Sequence, residues 1–229
     1  MIESFKFFSN DQCDKILDKL DRIDDFFSLY VEDFYFAGWP FYIHKEVYTD
    51  NEKKYKYNNI FKKVFKDEMD LLVNRFEEYL GENVYTHPEL GLPGFHKMIG
   101  RPGLKSLVNF HFDDFKQFQK GLYPELGVLN STQYNFTIQL TDNGINSSGL
   151  CYFEDKLSKK LNLIRAQKTE VTHLDPSLIK KSIYQRGSVN IHKDLMHSIF
   201  FENNSSEEQV RITLQGVLMK TSKGYLIFW

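Results

Sequence analysis

Apolar residues recur at helical spacing in two stretches near the start of the chain. Over residues 9–30, Ile16, Leu17, Leu20, Ile23 and Phe27 fall on one helical face, and Ser9-Asn10-Asp11 offers side-chain oxygens for the free N–H groups of a first turn. Over about 58–80, Ile60, Phe61, Val64, Phe65, Met69, Leu72, Phe76 and Leu80 form a second apolar stripe, with Gly81 as its C-terminal stop. Between the two, Gly38-Trp39-Pro40 breaks the chain and Phe41-Tyr42-Ile43 reads as a possible strand.

From residue 94 the period changes to two. Short β-type runs at 94–99, 106–112, 132–140, 149–153, 187–192, 197–202 and 210–219 are separated by turn chemistry such as Gly100-Arg101-Pro102-Gly103, Asp142-Asn143-Gly144 and Asn203-Asn204-Ser205-Ser206. Many short strands at this spacing predict an antiparallel sandwich or barrel, with the N-terminal helices covering the apolar outer face of one sheet. No repeat, low-complexity tract or linker divides the chain, so one domain is expected over 1–229. Within it, 1–90 is a helical support region with early strands, 91–220 the β core, and 221–229 a C-terminal strand or tail.

Composition narrows the class. The 21 Phe and 13 Tyr among 229 residues suit pleated surfaces better than a helical bundle. A formal net charge of −2 without a long basic run points away from nucleic acid and acidic membrane as partners. No stretch approaches the roughly 20 apolar residues of a membrane helix, and the first residues lack the basic-then-apolar pattern of a secretory signal. A cytoplasmic protein with Cys13 and Cys151 as free thiols is the expectation. The sequence leaves the oligomeric state open.

Candidate chemistry lies on three of the β runs. In Leu107–Asp113 the alternation places Val108, Phe110 and Phe112 on one side and Asn109, His111 and Asp113 on the other. An imidazole and a carboxylate two residues apart on a strand can hold the same ion, and a second imidazole would complete a facial set that leaves coordination positions open. His197, in Leu195-Met196-His197-Ser198-Ile199, is the expected partner. On the last long run Arg211, Thr213 and Gln215 share a face, and a guanidinium in such a wall calls for a fixed anion such as the distal carboxylate of a bound diacid.

His-x-Asp, a distant His, and Arg-x-Thr on the final strand together resemble the Fe(II)/2-oxoglutarate-dependent oxygenase superfamily. Within it, Ser148–Glu154, Gly187-Ser188-Val189, His197-Ser198-Ile199 and the opening Phe8–Leu17 are similar to segments of the prolyl-4-hydroxylase-like branch. The resemblance covers about residues 94–219 and the first helix. It implies a double-stranded β-helix, of jelly-roll or cupin type, with Fe(II) held by His111, Asp113 and His197. It also implies 2-oxoglutarate as cosubstrate with O2, its 5-carboxylate on Arg211 and Thr213, and further contacts at Asn109 and Gln139. Gln139 stands where enzymes of the branch can carry a Tyr, and Val108 where another is frequent. The activity implied is hydroxylation of an amino acid, a peptidyl side chain or a small natural-product intermediate, and a carboxylate at Asp113 favours hydroxylation over halogenation.

Other readings use the same residues. His173-Leu174-Asp175 is a second His-x-Asp, but Pro176 follows it directly and too little chain separates it from His197 for the intervening strands. His192 competes with His197 as the distal imidazole. His96 could line the pocket, although a structural histidine is the plainer reading there, as for His44 and His87. Gln133, Asn135, Thr137 and Gln139 form either a solvated sheet face or a polar pocket wall. At the level of function, an oxoglutarate-independent iron oxidase and a non-redox, cupin-like binding barrel remain as alternatives.

Overall fold

The computed structural model describes residues 2–40, 51–103, 105–107, 110, 111, 113, 127–142, 147–154, 176–193 and 195–229. The chain opens with β1 (Ile2–Lys6), α1 (Asn10–Asp21), β2 (Ser28–Val31) and β3 (Phe34–Ala37), followed by α2 (Asn51–Val64) and α3 (Lys66–Leu80). Strands β4 (Val84–Tyr85), β5 (Gly94–Gly100), β6 (Lys105–Leu107), β7 (Val128–Gln139) and β8 (Ser147–Phe153) come next. The described chain ends with β9 (Ile179–Ile183), β10 (Ser188–His192), β11 (His197–Glu202), β12 (Gln209–Thr221) and β13 (Gly224–Phe228).

Helix α1 starts where the sequence places it. Gln12 N–H donates to Ser9 Oγ at 3.2 Å and Ser9 N–H donates to Gln12 Oε1 at 2.8 Å, a reciprocal capping box. It stops at Asp21 rather than running to residue 30. Asp25 takes a left-handed φ of 51°, a conformation that Asp tolerates in turns, and the chain turns into β2. Phe26 and Phe27 still pack on the core from beyond the helix, which is why the apolar spacing overshoots its end.

The second stripe is likewise two helices. The chain breaks at Phe65, with φ −110° and ψ 25°, while its buried ring stays on Phe61 and Phe95. Both helices press on the same sheet, so the apolar spacing runs through the break unmarked. Gly81 closes α3 with φ 66°.

A nine-stranded sheet runs β1-β10-β7-β12-β5-β3-β2, with β13 on the far part of β12 and β4 parallel to β13; a four-stranded sheet runs β6-β11-β8-β9. From β5 to β8 successive strands alternate between the sheets, and β10, β11 and β12 alternate again. This winding is a double-stranded β-helix, a mostly β fold with a helical layer on one sheet. The outer face of the large sheet carries Phe136, Ile138, Leu140, Val189, Ile191, Ile212, Leu214 and Leu218 into one core with the helices. Phe61 of α2 stacks on Phe95 of β5 at 5.3 Å and Phe76 of α3 meets Phe136 of β7 at 4.8 Å. Aromatic rings of this kind add to the apolar area they bury.

The run expected at 106–112 is ladder only over Lys105–Leu107; beyond it His111 makes an isolated bridge to His197. The possible strand at 41–43 and the His173-Leu174-Asp175 segment lie outside the described residues. No helix among the described residues is long and apolar enough to cross a membrane. Cys13 and Cys151 are free and buried.

Candidate metal centre and anion pocket

The inner face of the large sheet is polar. Register sets Asn135 opposite Val217 and His192, Thr137 opposite Gln215 and Asn190, and Gln139 opposite Thr213, which in turn faces His96. Gln133, Asn135, Thr137 and Gln139 are all buried, so the alternating run on β7 is not a solvated face, and Asn135 and Thr137 line the cavity. Opposite stands the small sheet, whose Leu150 and Ile199 help enclose a cavity of about 410 Å³.

At one end of this cavity His111, Asp113 and His197 bring one ligand atom each within 4.8 Å of one another. The Asp113 carboxylate lies 3.6 Å from His111 Nε2 and 3.3 Å from His197 Nε2. Main chain fixes the two imidazoles, because His111 and His197 are bridge partners. The side chain of Gln133 holds the carbonyl of Asp113 at 2.8 Å. His197 Nδ1 lies 3.0 Å from the Leu195 carbonyl, which accepts its N–H and turns Nε2 toward the cluster.

Electrostatics match that geometry. Burial alone would raise the Asp113 carboxyl, but His197, His111 and His192 outweigh it and hold the group well below the usual carboxylate range. Burial pulls His197 down while Asp113 and the Leu195 carbonyl push it up, with a net rise. The cluster is thus an anion between imidazoles, a donor set suited to a divalent cation of intermediate softness.

His192 is not one of the three converging groups. Its ring packs against His197 with centroids 4.4 Å apart, and burial, then the neighbouring His197, keep it well below the ordinary histidine value. His96 lines the cavity as well, held down to about 3 by burial and by Arg211.

Arg211 is 1% exposed and lies beside the cavity, beyond its open lining. Its Nη1 reaches Met98 Sδ at 3.2 Å and its guanidinium lies over the Tyr184 ring at 5.4 Å. Nε and Nη2 are buried without a hydrogen-bond partner among the described residues, and desolvation lowers the group to about 10. A buried cation of this kind is costly unless an anion pairs with it. Thr213 Oγ1 accepts from Gln215 Nε2 at 2.9 Å, which leaves the hydroxyl hydrogen to point elsewhere. Gln139 faces the barrel but its amide donates to the Thr141 carbonyl and hydroxyl, both at 3.0 Å, a commitment the sequence does not reveal. Asn109 lies outside the described residues.

Several groups at the site escape sequence reasoning. Tyr184 is hydrogen-bonded to Thr137 and caps Arg211. Both amide atoms of buried Asn190 lack a partner among the described residues. Tyr30, Phe34 and Trp229 line the cavity from outside the alternating core. Only the odd–even pattern could have found Asn190, and nothing local marks Trp229.

No protein-family model matches the chain, and no curated protein matches it. Solved structures do. An N-substituted L-amino acid dioxygenase from Burkholderia ambifaria AMMD superposes with a TM-score of 0.52 at 11% identity, over 100% of this chain and 86% of that one. EvdO2 from Micromonospora carbonacea var. aurantiaca gives 0.49 at 13% identity, over 96% and 86%. HygX from Streptomyces hygroscopicus, with nickel and 2-oxoglutarate bound, gives 0.48 at 13%, over 93% and 81%. The chain shares the double-stranded β-helix fold of the Burkholderia dioxygenase, at an identity that carries the fold alone.

Proposed function

We propose that this chain is a non-haem Fe(II), 2-oxoglutarate-dependent oxygenase that oxidises a C–H bond of its substrate, in the simplest case by hydroxylation. The observation that carries the reading is a conjunction within one barrel. A His-Asp-His cluster converges at the cavity, and the polar wall beside it buries a guanidinium with two nitrogens that have no partner among the described residues. One of the solved structures named above, the Burkholderia protein, is described as a dioxygenase, which agrees with this reading.

The residues fit the groups the reading requires. His111, Asp113 and His197 would hold the metal, with Nε2 of His197 already presented by its Nδ1–H···O=C bond. Iron bound there would supply O2-dependent oxidation coupled to conversion of 2-oxoglutarate into succinate and CO2. Arg211 would meet the distal carboxylate through Nε and Nη2, adjacent N–H groups that match its two oxygens. The Thr213 hydroxyl is placed to add a donor on the same wall. The small-sheet side chains Leu150 and Ile199 keep the facing side apolar, which excludes water from the reacting centre. The nearer likeness to the prolyl-4-hydroxylase-like branch rests on the β8, β10 and β11 segments and the opening Phe8–Leu17, and is part of this proposal.

The test is coupled turnover. Purified protein given Fe(II), 2-oxoglutarate and air should form succinate in amounts that depend on both, even without primary substrate, at a slow uncoupled rate. Anaerobically, 2-oxoglutarate should produce a visible charge-transfer absorption with bound Fe(II). Iron-dependent oxidation with no succinate would favour an oxoglutarate-independent oxidase. Absence of both signals would leave a non-redox binding barrel.

A further inference from the structure

One wall of the cavity is a continuous run of aromatic rings. Tyr30 meets Phe34 edge-on at 5.6 Å, Phe34 meets His96 edge-on at 4.8 Å, and His96 lies 5.1 Å from Trp229. All four rings line the cavity that holds the His-Asp-His cluster. They come from β2, β3, β5 and the residue after β13, so no single helix or strand periodicity places them together.

The backbone is shaped to admit this wall. A Cβ on Gly94 would stand 2.0 Å from the Trp229 ring and 2.6 Å from the Ala37 carbonyl, and one on Gly38 would stand 2.5 Å from the same indole. Gly38 also has φ +133°, where side chains are strained. The indole therefore lies against bare main chain at the start of β5 and just past the end of β3. His96 adds a ring without a charge, since burial and Arg211 keep it neutral.

Across the cavity stand Leu150 and Ile199, and its uncharged polar lining includes Asn135, Thr137 and Gln215, with His192 beside the ligand cluster. Among the described residues that line the cavity there is no Lys, Arg or Glu, and Asp113 belongs to the ligand cluster. Against this described lining a substrate carboxylate or phosphate meets no Lys or Arg, at the cost of a poorly paired charge. The cavity of about 410 Å³ must also accept the cosubstrate, which leaves room for a small molecule and not for a folded partner.

We propose that the primary substrate is an uncharged small molecule with a flat aromatic or conjugated ring, seated on the Phe34–His96–Trp229 wall with its polar substituent toward Asn135 and Gln215. What happens to that molecule rests on the oxygenase reading, whereas its binding does not.

Calorimetric titration tests it, with Ni(II) in place of iron and 2-oxoglutarate present so that nothing turns over. The probes are 2-naphthol, its saturated and puckered counterpart 2-decalol, and the anion 2-naphthoate. Ring-on-ring contact should make 2-naphthol bind roughly three- to ten-fold more tightly than 2-decalol, with 2-naphthoate weakest. Trp229→Leu and, at the half-buried mouth, Phe34→Leu should each weaken 2-naphthol by a similar factor while changing 2-decalol little. The second variant keeps the test usable if the first does not fold. Tighter binding of 2-naphthoate, equal affinity for 2-naphthol and 2-decalol, no binding of 2-naphthol, or unchanged 2-naphthol affinity in the variants overturns the proposal. Titration of 2-oxoglutarate into the wild type separates the two readings. If 2-oxoglutarate fails to bind while the probes keep their ranking, the aromatic seat survives and the oxygenase reading falls; the converse result removes the seat alone.

Discussion

His111 and His197 are antiparallel bridge partners, each backbone N–H donating to the other's carbonyl, at 2.8 and 3.0 Å. The separation of the two imidazoles is therefore set by main chain, with Asp113 two residues further along. Removing one side chain leaves that bridge in place. His111→Ala, Asp113→Ala and His197→Ala should each lower Fe(II) affinity by about two orders of magnitude or more while far-UV circular dichroism stays native. Iron retained by the His111 or His197 variant, measured by equilibrium dialysis, would show that the cluster does not hold the metal. His192→Ala should keep the metal stoichiometry, since its ring packs on His197 and not among the converging atoms.

Arg211 separates cosubstrate binding from metal binding. Arg211→Ala should raise the 2-oxoglutarate requirement by roughly two to three powers of ten, about 3–4 kcal/mol for a lost bidentate pair, with iron affinity nearly unchanged. Lys should recover part of the loss, because it keeps the charge and lacks the fork. Arg211→Met should leave the ligand-free protein at least as stable as wild type, since an uncompensated buried cation is removed along with its contacts to Met98 and Tyr184. A loss confined to the primary substrate, with 2-oxoglutarate dependence intact, would refute the cosubstrate role.

Acid should destabilise the metal-free protein through its buried neutral histidines. His96 is held down to about 3 in the fold against a reference value of 6.5, so below the reference value the unfolded chain takes up a proton that the fold refuses. Stability from this group is present above that value and is lost as pH falls toward 3. Between pH of about 7.5 and 5.5 the loss from His96 alone is about 1.4 kcal/mol. His96→Phe, an apolar ring between Phe34 and Trp229, should flatten urea-unfolding stability over that interval by about this amount. An unchanged slope would mean that His96 does not carry it.

Ser9 offers a check on the helical layer that does not touch the cavity. Its Oγ and the Gln12 side chain form the box that starts α1. Ser9→Ala should cost about 1 kcal/mol of stability, read from thermal or denaturant unfolding, and leave metal affinity at the wild-type value.

Much of this was legible in residue order. The period-two runs on β5, β7, β8, β10, β11 and β12 stand close to where alternation puts them, and the His-x-Asp, distal His and Arg-x-Thr positions converge on one barrel. Helix lengths were less legible, because Phe27 and Phe65 reach the core from outside or between helices and so extend the apparent stripe. Spacing could not show that Gln139 is held by Thr141, nor that Tyr184 covers Arg211, since both depend on how two strands meet. The aromatic wall was invisible for the same reason: Tyr30, Phe34, His96 and Trp229 are neighbours only after the sheet has formed.

Strand β12 lies between β5 and β7 and answers to both. Its odd positions Arg211, Thr213 and Gln215 serve the barrel, and its even positions Ile212, Leu214 and Leu218 serve the helices. Parity thus encodes two unrelated duties in one segment. A single inserted residue near Val210 would exchange them, driving a guanidinium into the greasy layer and leucines into the chamber. A residue inserted within the paired strand, after Val210, should therefore abolish folding, whereas one inserted in the 203–208 turn, outside the ladder, should be tolerated; expression and unfolding of the two insertions would show the difference.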